Sequence, residues 1–269
     1  MRISKNKLFK HISFTEIDCH ALSLYLEEMA SNGWLLYDVF AGIFKFKKSN
    51  PQKINFSINI FDKTTNPVKD YFEICKAAGW EHICSYSKYQ IFCTKDQGTT
   101  PIQTDLKFEF KNIANNILLL ITMTTLCFSL PMLYDSNESI QYIINNIDNM
   151  NKYKTILFIS LTIVLLVICL ESLIEIIINV TWFYKSKKSL KDTNELKYIS
   201  LKSFKKKLHV SNYTGIYYVL NLILIALIII IPVNYYSFII VYPYILSIIL
   251  AIAVSVMSII YCIKTLKEI

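Results

Sequence analysis

The stretch EEMASNGWLL at residues 27–36 decides the fold of the N-terminal region, because its pattern returns as EICKAAGWEH at residues 73–82. In both stretches a run with apolar residues at helical spacing ends in Gly-Trp, and Gly33 and Gly79 lie 46 residues apart. Glycine readily takes the left-handed conformation that ends many helices, and the tryptophan after it can fold back onto the last turn. The sequence therefore predicts two copies of one unit, each a helix closed by Gly-Trp.

Alternating apolar and polar residues follow each Gly-Trp and predict antiparallel strands with one buried face. LLYDVF and IFKFKK flank Ala41-Gly42, INFSINI alternates strictly, and EHICSY and YQIFCTK flank Ser87-Lys88. LKFEF at residues 106–110 also alternates, and either forms a last strand or leads into an apolar helix. We therefore expect residues 1–111 to form an α+β domain, a duplicated helix plus antiparallel strands, of the ferredoxin-like type.

The rest of the chain, residues 112–269, is much more apolar than this domain. The whole chain is 54% hydrophobic with only 5 Gly in 269 residues, which is unusual for a soluble protein. Four apolar segments, at about 113–134, 155–180, 213–233 and 238–262, each reach the roughly 20 residues that a helix needs to cross a bilayer core of about 30 Å. The sequence predicts an all-α four-helix transmembrane bundle.

Lysine distribution predicts the orientation of these spans, because Lys and Arg accumulate on the cytoplasmic side. The connection at 185–212 carries nine Lys against Asp192 and Glu195, whereas the first connection is mainly acidic and the third is uncharged. The basic start of the chain leads into no continuous apolar core of the signal-peptide kind. We expect a multi-pass protein of the cell (plasma) membrane with both termini and the α+β domain in the cytoplasm.

The basic connection also suggests contact with membrane lipids. Lys202, Lys205, Lys206 and Lys207 are interleaved with apolar residues such as Phe204, a pattern that can lay a helix on anionic lipid. Alternatively, these lysines only fix the topology. Most of the net charge of +8 lies in this connection, so we expect no nucleic-acid partner.

Two acids within the second predicted span give the sharpest functional signal. Glu171 and Glu175 are four residues apart, hence on one face of a helix, and a charged carboxylate inside a bilayer costs several kcal/mol. Asn221 of the third span, Asn115 or Asn116 at the start of the first span, a cation or a proton could compensate them. Alternatively, the helix extends into the cytoplasm and the acids lie at headgroup level, or protonated acids pack the helices together.

Aromatic residues of the N-terminal region form the candidate site for a ligand or partner. Apolar grooves with a few polar anchors are typical of ligand sites, and the alternative is that these rings form the core. The candidates are Trp34, Tyr37, Phe44, Phe46, Trp80 and Tyr89.

Motifs for catalysis, metal binding and phosphate binding are missing from the sequence. There is no HExxH, GxGxxG, P-loop or GxSxG, and a metal at Cys19-His20 and His82-Cys84 would require the fold to bring the two pairs together. The seven cysteines include no CxxC pair, so we expect reduced packing residues. We expect no cofactor, no metal and no enzymatic activity.

The order YLEEMASNGWLL, an aromatic hairpin, then YFEICKAAGWEHICSYSKYQIFCTK resembles the bacterial family known as domain of unknown function 2812, over about residues 8–95. The resemblance implies several spans after the domain and a gene close to PadR-type transcriptional regulators. It implies no activity, so no catalytic residues can be transferred.

These observations lead to two functional hypotheses. In the first, the cytoplasmic domain binds a protein or small ligand and couples it to the membrane bundle, in envelope stress or antimicrobial response. In the second, the chain is a small permease or channel subunit that uses Glu171 and Glu175 as a proton or cation relay. Because four spans bury little polar surface, we also expect a homo-oligomer or a second membrane subunit.

Overall fold

The computed structural model describes residues 2–4, 6–60, 68–133 and 152–230, with 249, 256, 258–263 and 265–267. The elements are β1 Arg2–Ser4, β2 Lys7–His11, a 3-10 turn Glu16–Asp18, α1 Cys19–Ser31, β3 Trp34–Phe40, β4 Ile43–Lys48, β5 Asn55–Ile60, α2 Val68–Ala77, β6 Glu81–Tyr86, β7 Tyr89–Thr94, α3 Leu106–Leu133, α4 Lys152–Asp192 and α5 Leu201–Ile230.

The N-terminal region contains two strand–helix–hairpin units with the same connectivity. The last strand of each unit pairs antiparallel with both other strands, giving the sheets β1-β2-β4-β3 and β5-β7-β6. The α+β class and the antiparallel strands agree with the sequence prediction. The ferredoxin-like arrangement differs from the structure, which has two hydrogen-bonded sheets, because each unit supplies its own central strand.

The strand bulges and the hairpin turns lie at equivalent positions of the two units, 46 residues apart, as do the Gly-Trp pairs. The β3–β4 ladder shifts register at Tyr37, and the β6–β7 ladder shifts at Ile83. In the two hairpin turns, Ala41 has a φ of 48° and Ser87 a φ of 54°. A bulge bends the strand that contains it and increases its twist, so both hairpins bend at the same place.

Both helices of the units end as the Gly-Trp pairs predict. Gly33 has a φ of 80° and Gly79 a φ of 90°, which is the left-handed region. At the second end the Gly79 N–H donates to the Lys76 carbonyl at 3.0 Å and the Trp80 N–H donates to the Cys75 carbonyl at 2.9 Å. This is the Schellman arrangement, which satisfies two carbonyls of the last turn.

One hydrophobic core joins α1 to both sheets. Leu22 and Leu26 of α1 pack with Phe44 and Phe46 of the first sheet and with Ile91 of the second. The next residue of β7, Phe92, points to the opposite face of its strand, where it packs with Cys75 and Trp80 in a second core under α2. The second sheet is therefore covered on both faces.

The segment LKFEF forms the first turns of helix α3 and is not a strand. Asp105 caps this helix, since its Oδ1 accepts the N–H groups of Lys107 at 3.0 Å and Phe108 at 3.1 Å. Most of the basic connection is helical as well, because α4 runs on to Asp192 and α5 begins at Leu201.

The chain divides into two compact units. The first comprises Met1–Asn116, Thr181–Leu208 and Lys267–Ile269, and the second comprises Ile117–Val180 and His209–Leu266. The sequence predicted a boundary near residue 111, and the first unit additionally takes in the end of α4 and the start of α5.

Within the described residues, one segment is long and apolar enough to cross a membrane. This is Leu166–Asp192, 27 residues with a mean hydropathy of 1.9. One such helix is weak support for membrane association, because core helices of soluble proteins share these properties, and it does not support a four-helix bundle. The predicted first and third spans fall largely in α3 and α5. The predicted span 238–262 lies mostly outside the described residues, as do most of the first connection and all of the third.

Candidate functional site

The predicted aromatic residues do not line one common groove. Phe44 and Phe46 are completely buried, and Trp34 is partly buried against the same core. Tyr37 occupies the β3 bulge, and Tyr89 is buried with its ring 4.6 Å from that of Phe14. Of the six, Trp80 also lines a cleft, where its Nε1–H donates to the Thr100 carbonyl at 2.9 Å.

This cleft, here called the α1–β5 cleft, lies within the first unit and has a volume of about 440 Å³. Helix α1 forms one wall, the edge strand β5 forms the second, and residues 99–109 with Tyr198 close it. A cavity of about 150 Å³ shares Cys19, Asn59 and Glu109 with it. The sequence did not indicate this site, since its walls come from segments distant in the chain.

Two carboxylates give the α1–β5 cleft its negative charge. A Glu27 oxygen accepts the N–H of Phe56 at 3.2 Å, which covers the open edge of β5, and Glu109 accepts the Tyr198 hydroxyl at 3.4 Å. Burial raises the pKa of both glutamates, and these hydrogen bonds oppose the rise. Among the described residues, no basic side chain pairs with either glutamate. The cleft can therefore receive a ligand that donates hydrogen bonds.

Burial raises the thiol pKa of the cysteines of the first unit, as is typical of cysteines that only pack. Burial, reinforced by Asp18, raises the pKa of the Cys19 thiol well above its ordinary value. Burial likewise raises the pKa of Cys84 to about 12 and of Cys93 to about 11. These thiols stay protonated at neutral pH and are poor nucleophiles.

The four residues considered for a metal ion make other contacts. They are Cys19, His20, His82 and Cys84. The His82 ring stacks on Phe72 at 4.2 Å, and its Nε2 lies 3.1 Å from Gln90 Oε1. Across the described parts of the chain, no group of three or more His, Cys, Asp or Glu side chains is arranged to hold a metal ion.

The first turns of α5 belong to the core of the first unit. Phe204 is completely buried, with its ring 6.0 Å from that of Tyr25, and Leu201 and Leu208 pack against the same core. One of the two interpretations of the sequence placed Phe204 on a lipid-facing surface. It lies instead among the residues of α1 and the sheets.

Two lysines of this segment form ion pairs with α1 and the turn before it. Lys205 Nζ lies 2.6 Å from Glu28 Oε1, and Lys207 Nζ lies 2.5 Å from Asp18 Oδ2. Asp18 is completely buried, and the same oxygen accepts the N–H and the hydroxyl of Thr15. We call Phe204, Lys205 and Lys207 the α5 anchor. Two of the four lysines predicted to face lipid therefore bind acids of this unit.

The C-terminal end of α4 is fixed in the same unit. Trp182 is 1% exposed, and its Nε1–H donates to the Lys197 carbonyl at 2.6 Å. The Phe110 ring stacks on it, with the centroids 5.9 Å apart. This hydrogen bond ties the end of α4 to the short connection that leads into α5.

In the second unit, Glu171 has partners that the sequence analysis missed. The Thr214 hydroxyl donates to Glu171 Oε1 at 2.7 Å and the Tyr218 hydroxyl donates to Oε2 at 3.2 Å. Asn221, one of the possible partners considered from the sequence, is buried and donates to the Tyr217 carbonyl of its own helix at 2.9 Å. The four-residue spacing of Thr214 and Tyr218 matches that of Glu171 and Glu175, and is the signal that could have revealed the pairing.

The fold defines an α+β domain of two antiparallel sheets whose core includes residues of the first turns of α5. Residues 22–126 match the family model described as protein of unknown function (DUF2812), and this region of the chain belongs to that family. The match begins inside α1 and ends inside α3. No curated protein and no solved structure matches the chain.

Proposed function

We propose that this protein is a multi-pass membrane protein whose N-terminal domain lies in the cytoplasm, binds a protein or small ligand, and couples binding to the apolar helices. The predicted setting is envelope stress or antimicrobial response, in the cell membrane, with both termini inside. The apolar helix Leu166–Asp192, the apolar segments of the sequence and the lysine distribution support the membrane placement. A homo-oligomer or a second membrane subunit belongs to the same proposal.

The observation that carries this proposal is the α5 anchor. Helix α5 is continuous from Leu201 to Ile230, and its first turns are packed into the core of the first unit. A helix transmits displacement along its axis because its backbone hydrogen bonds resist bending. Any change that moves the core around Phe204 therefore also acts on the start of an apolar helix.

Helix α1 connects the α1–β5 cleft to the α5 anchor. Glu27 lines the cleft, and its neighbour Glu28 pairs with Lys205. Cys19 lines the cleft, and its neighbour Asp18 pairs with Lys207. A ligand that binds one position of α1 better than another shifts the population toward that position, and the anchor experiences the same shift.

The test is affinity capture by the full chain from native membranes after cross-linking. Wild type is compared with Glu27→Arg, which changes the cleft, and with Glu73→Arg, a matched change at an exposed position of α2. We expect one protein to be captured by wild type and by Glu73→Arg and to be lost with Glu27→Arg. Equal capture by all three chains would refute a cleft-dependent partner.

The membrane placement has its own test. Reporter fusions at the N- and C-terminus of the full chain should both show cytoplasmic activity, and the chain should remain in the membrane fraction after alkaline carbonate washing. Release of the chain by carbonate would contradict membrane integration, and opposite reporters would contradict an even number of spans.

A second candidate function is supported by the hydrogen bonds of Glu171. A carboxylate that accepts two hydroxyl groups from another helix is a chemically suitable site for a proton or a cation, as in a small permease or channel subunit. The double variant Glu171→Gln, Glu175→Gln should then abolish proton or cation flux in liposomes while its abundance stays unchanged. Equal flux from wild type and variant would exclude the relay.

A further inference from the structure

The first sheet has one face on the core and one face directed away from it, here called the outer face. Strand pairing assigns its members, because residues on β2, β3 and β4 that lie opposite each other share a face. They are Lys7, Phe9 and His11 on β2, Asp38 and Phe40 on β3, and Ile43, Lys45 and Lys47 on β4. Leu35, which lies opposite Lys47, packs against the core instead.

Positive charge accumulates on the outer face without full compensation. Lys7 and Lys47 are directly opposite each other and both are exposed. Like charges at such a cross-strand position destabilise a sheet. Lys45 pairs with Asp38 at 2.6 Å, while neither Lys7 nor Lys47 forms an ion pair with a described residue. The sheet thus retains an unfavourable pair that an external anion would compensate.

Two apolar side chains are exposed at the turn end of the same face. Phe40 is 69% exposed and Ile43 is 39% exposed, and they are paired across the β3–β4 hairpin. The Lys45 ammonium lies 5.5 Å from the centroid of the Phe40 ring. The face therefore has an apolar tip at one end and lysines behind it.

We propose that the outer face binds the surface of an anionic membrane, with Phe40 and Ile43 in the interfacial region and the lysines on lipid phosphates. Apolar residues beside lysines are the combination that binds anionic bilayers, and each lysine close to the surface strengthens binding about fivefold. A single-stranded nucleic acid fits less well, because the apolar side chain beside Phe40 at this tip is the aliphatic Ile43, which has no ring face for base stacking. The inference rests on the proposed function, which keeps the domain next to a membrane.

The test uses the full chain in nanodiscs with p-benzoylphenylalanine in place of Phe40. The matched control carries the photoreactive residue in place of Ile74, which is 67% exposed on α2. Nanodiscs contain either phosphatidylcholine alone or phosphatidylcholine with phosphatidylglycerol. We expect lipid cross-links at position 40 to be at least fivefold more abundant than at position 74, and only in the anionic nanodiscs. Lys7→Glu together with Lys47→Glu should abolish the difference.

Two outcomes would overturn the inference. One is equal cross-linking to lipid at positions 40 and 74, and the other is cross-linking of position 40 to nucleic acid or to a protein in intact cells. The carbonate wash separates this failure from that of the proposed function. A chain that stays in the membrane but shows no lipid cross-link at position 40 refutes the inference alone, whereas a chain released by carbonate refutes both.

Discussion

Truncating Phe204 to alanine should destabilise the first unit, although this residue lies more than 100 positions beyond the last strand. Phe204 is completely buried next to Tyr25. Replacing a buried phenylalanine by alanine costs about 3–5 kcal/mol, because apolar contacts are lost and a cavity remains. The free energy of unfolding of such a domain is about 5–15 kcal/mol, so the loss is a large fraction of the total stability.

The assay is urea unfolding of the full chain in detergent micelles, followed by tryptophan fluorescence. All three tryptophans, Trp34, Trp80 and Trp182, belong to the first unit, so the signal reports that unit selectively. With a dependence of about 2 kcal/mol per molar urea, a loss of about 4 kcal/mol lowers the midpoint by about 2 M.

The control is Lys202→Ala, which truncates an exposed residue of the same helical turn. This variant should unfold within about 0.3 M of wild type, because exposed substitutions change stability by at most about 0.5 kcal/mol. If Phe204→Ala and Lys202→Ala have the same midpoint, Phe204 is not part of the core and the α5 anchor does not exist. A lipid-facing Phe204, as in one of the two interpretations of the sequence, would give that result.

Three further predictions use the same assay. Lys207→Met leaves the buried carboxylate of Asp18 without its cation and should cost about 3–5 kcal/mol; an unchanged midpoint would contradict the ion pair. Gly79→Ala should lower the free energy of unfolding by about 1–2 kcal/mol, because Gly79 has a positive φ. Gly33→Ala should lower it further, because Gly33 also has a positive φ and a Cβ there would lie 2.8 Å from the Ser49 carbonyl oxygen. The reverse order of the two losses would refute this reasoning. Burial raises the pKa of Glu109 above its ordinary 4.5, so the free energy of unfolding should fall as the pH rises from about 4.5 through the raised pKa. Glu109→Gln should flatten this pH dependence. Parallel pH profiles of wild type and variant would exclude a contribution of Glu109.

The local structure of the N-terminal region was largely predictable from the sequence. Gly-Trp marks the ends of α1 and α2 because glycine is the residue that adopts a positive φ at least cost, and alternation located the strands. The number of sheets was not predictable. Local patterns do not specify whether a strand pairs inside its own unit or with the other one, so one ferredoxin-like sheet and two separate sheets fit the same sequence.

Long-range packing explains what the sequence analysis missed at the candidate site. The sequence places Phe204 as an apolar residue within a basic helix. It does not show whether the apolar side of that helix contacts lipid or a protein core. The α1–β5 cleft has the same origin, since Glu27 and Glu109 come together only in the folded unit. Phe44 and Phe46 were candidates for a groove and instead fill the core, because alternation identifies a buried face without identifying what covers it.

The position of Phe204 in the chain also affects how the protein is made. A ribosome adds roughly 5–20 residues per second, so Phe204 leaves it several seconds or more after β7 is complete. During this interval the nascent N-terminal unit has all of its strands but lacks the side chain that covers Tyr25. Helices α3 and α4 are synthesised during this interval, so the unit completes its core only after both apolar helices have been synthesised. We therefore expect fragments that end near residue 111 to expose apolar surface and to bind chaperones.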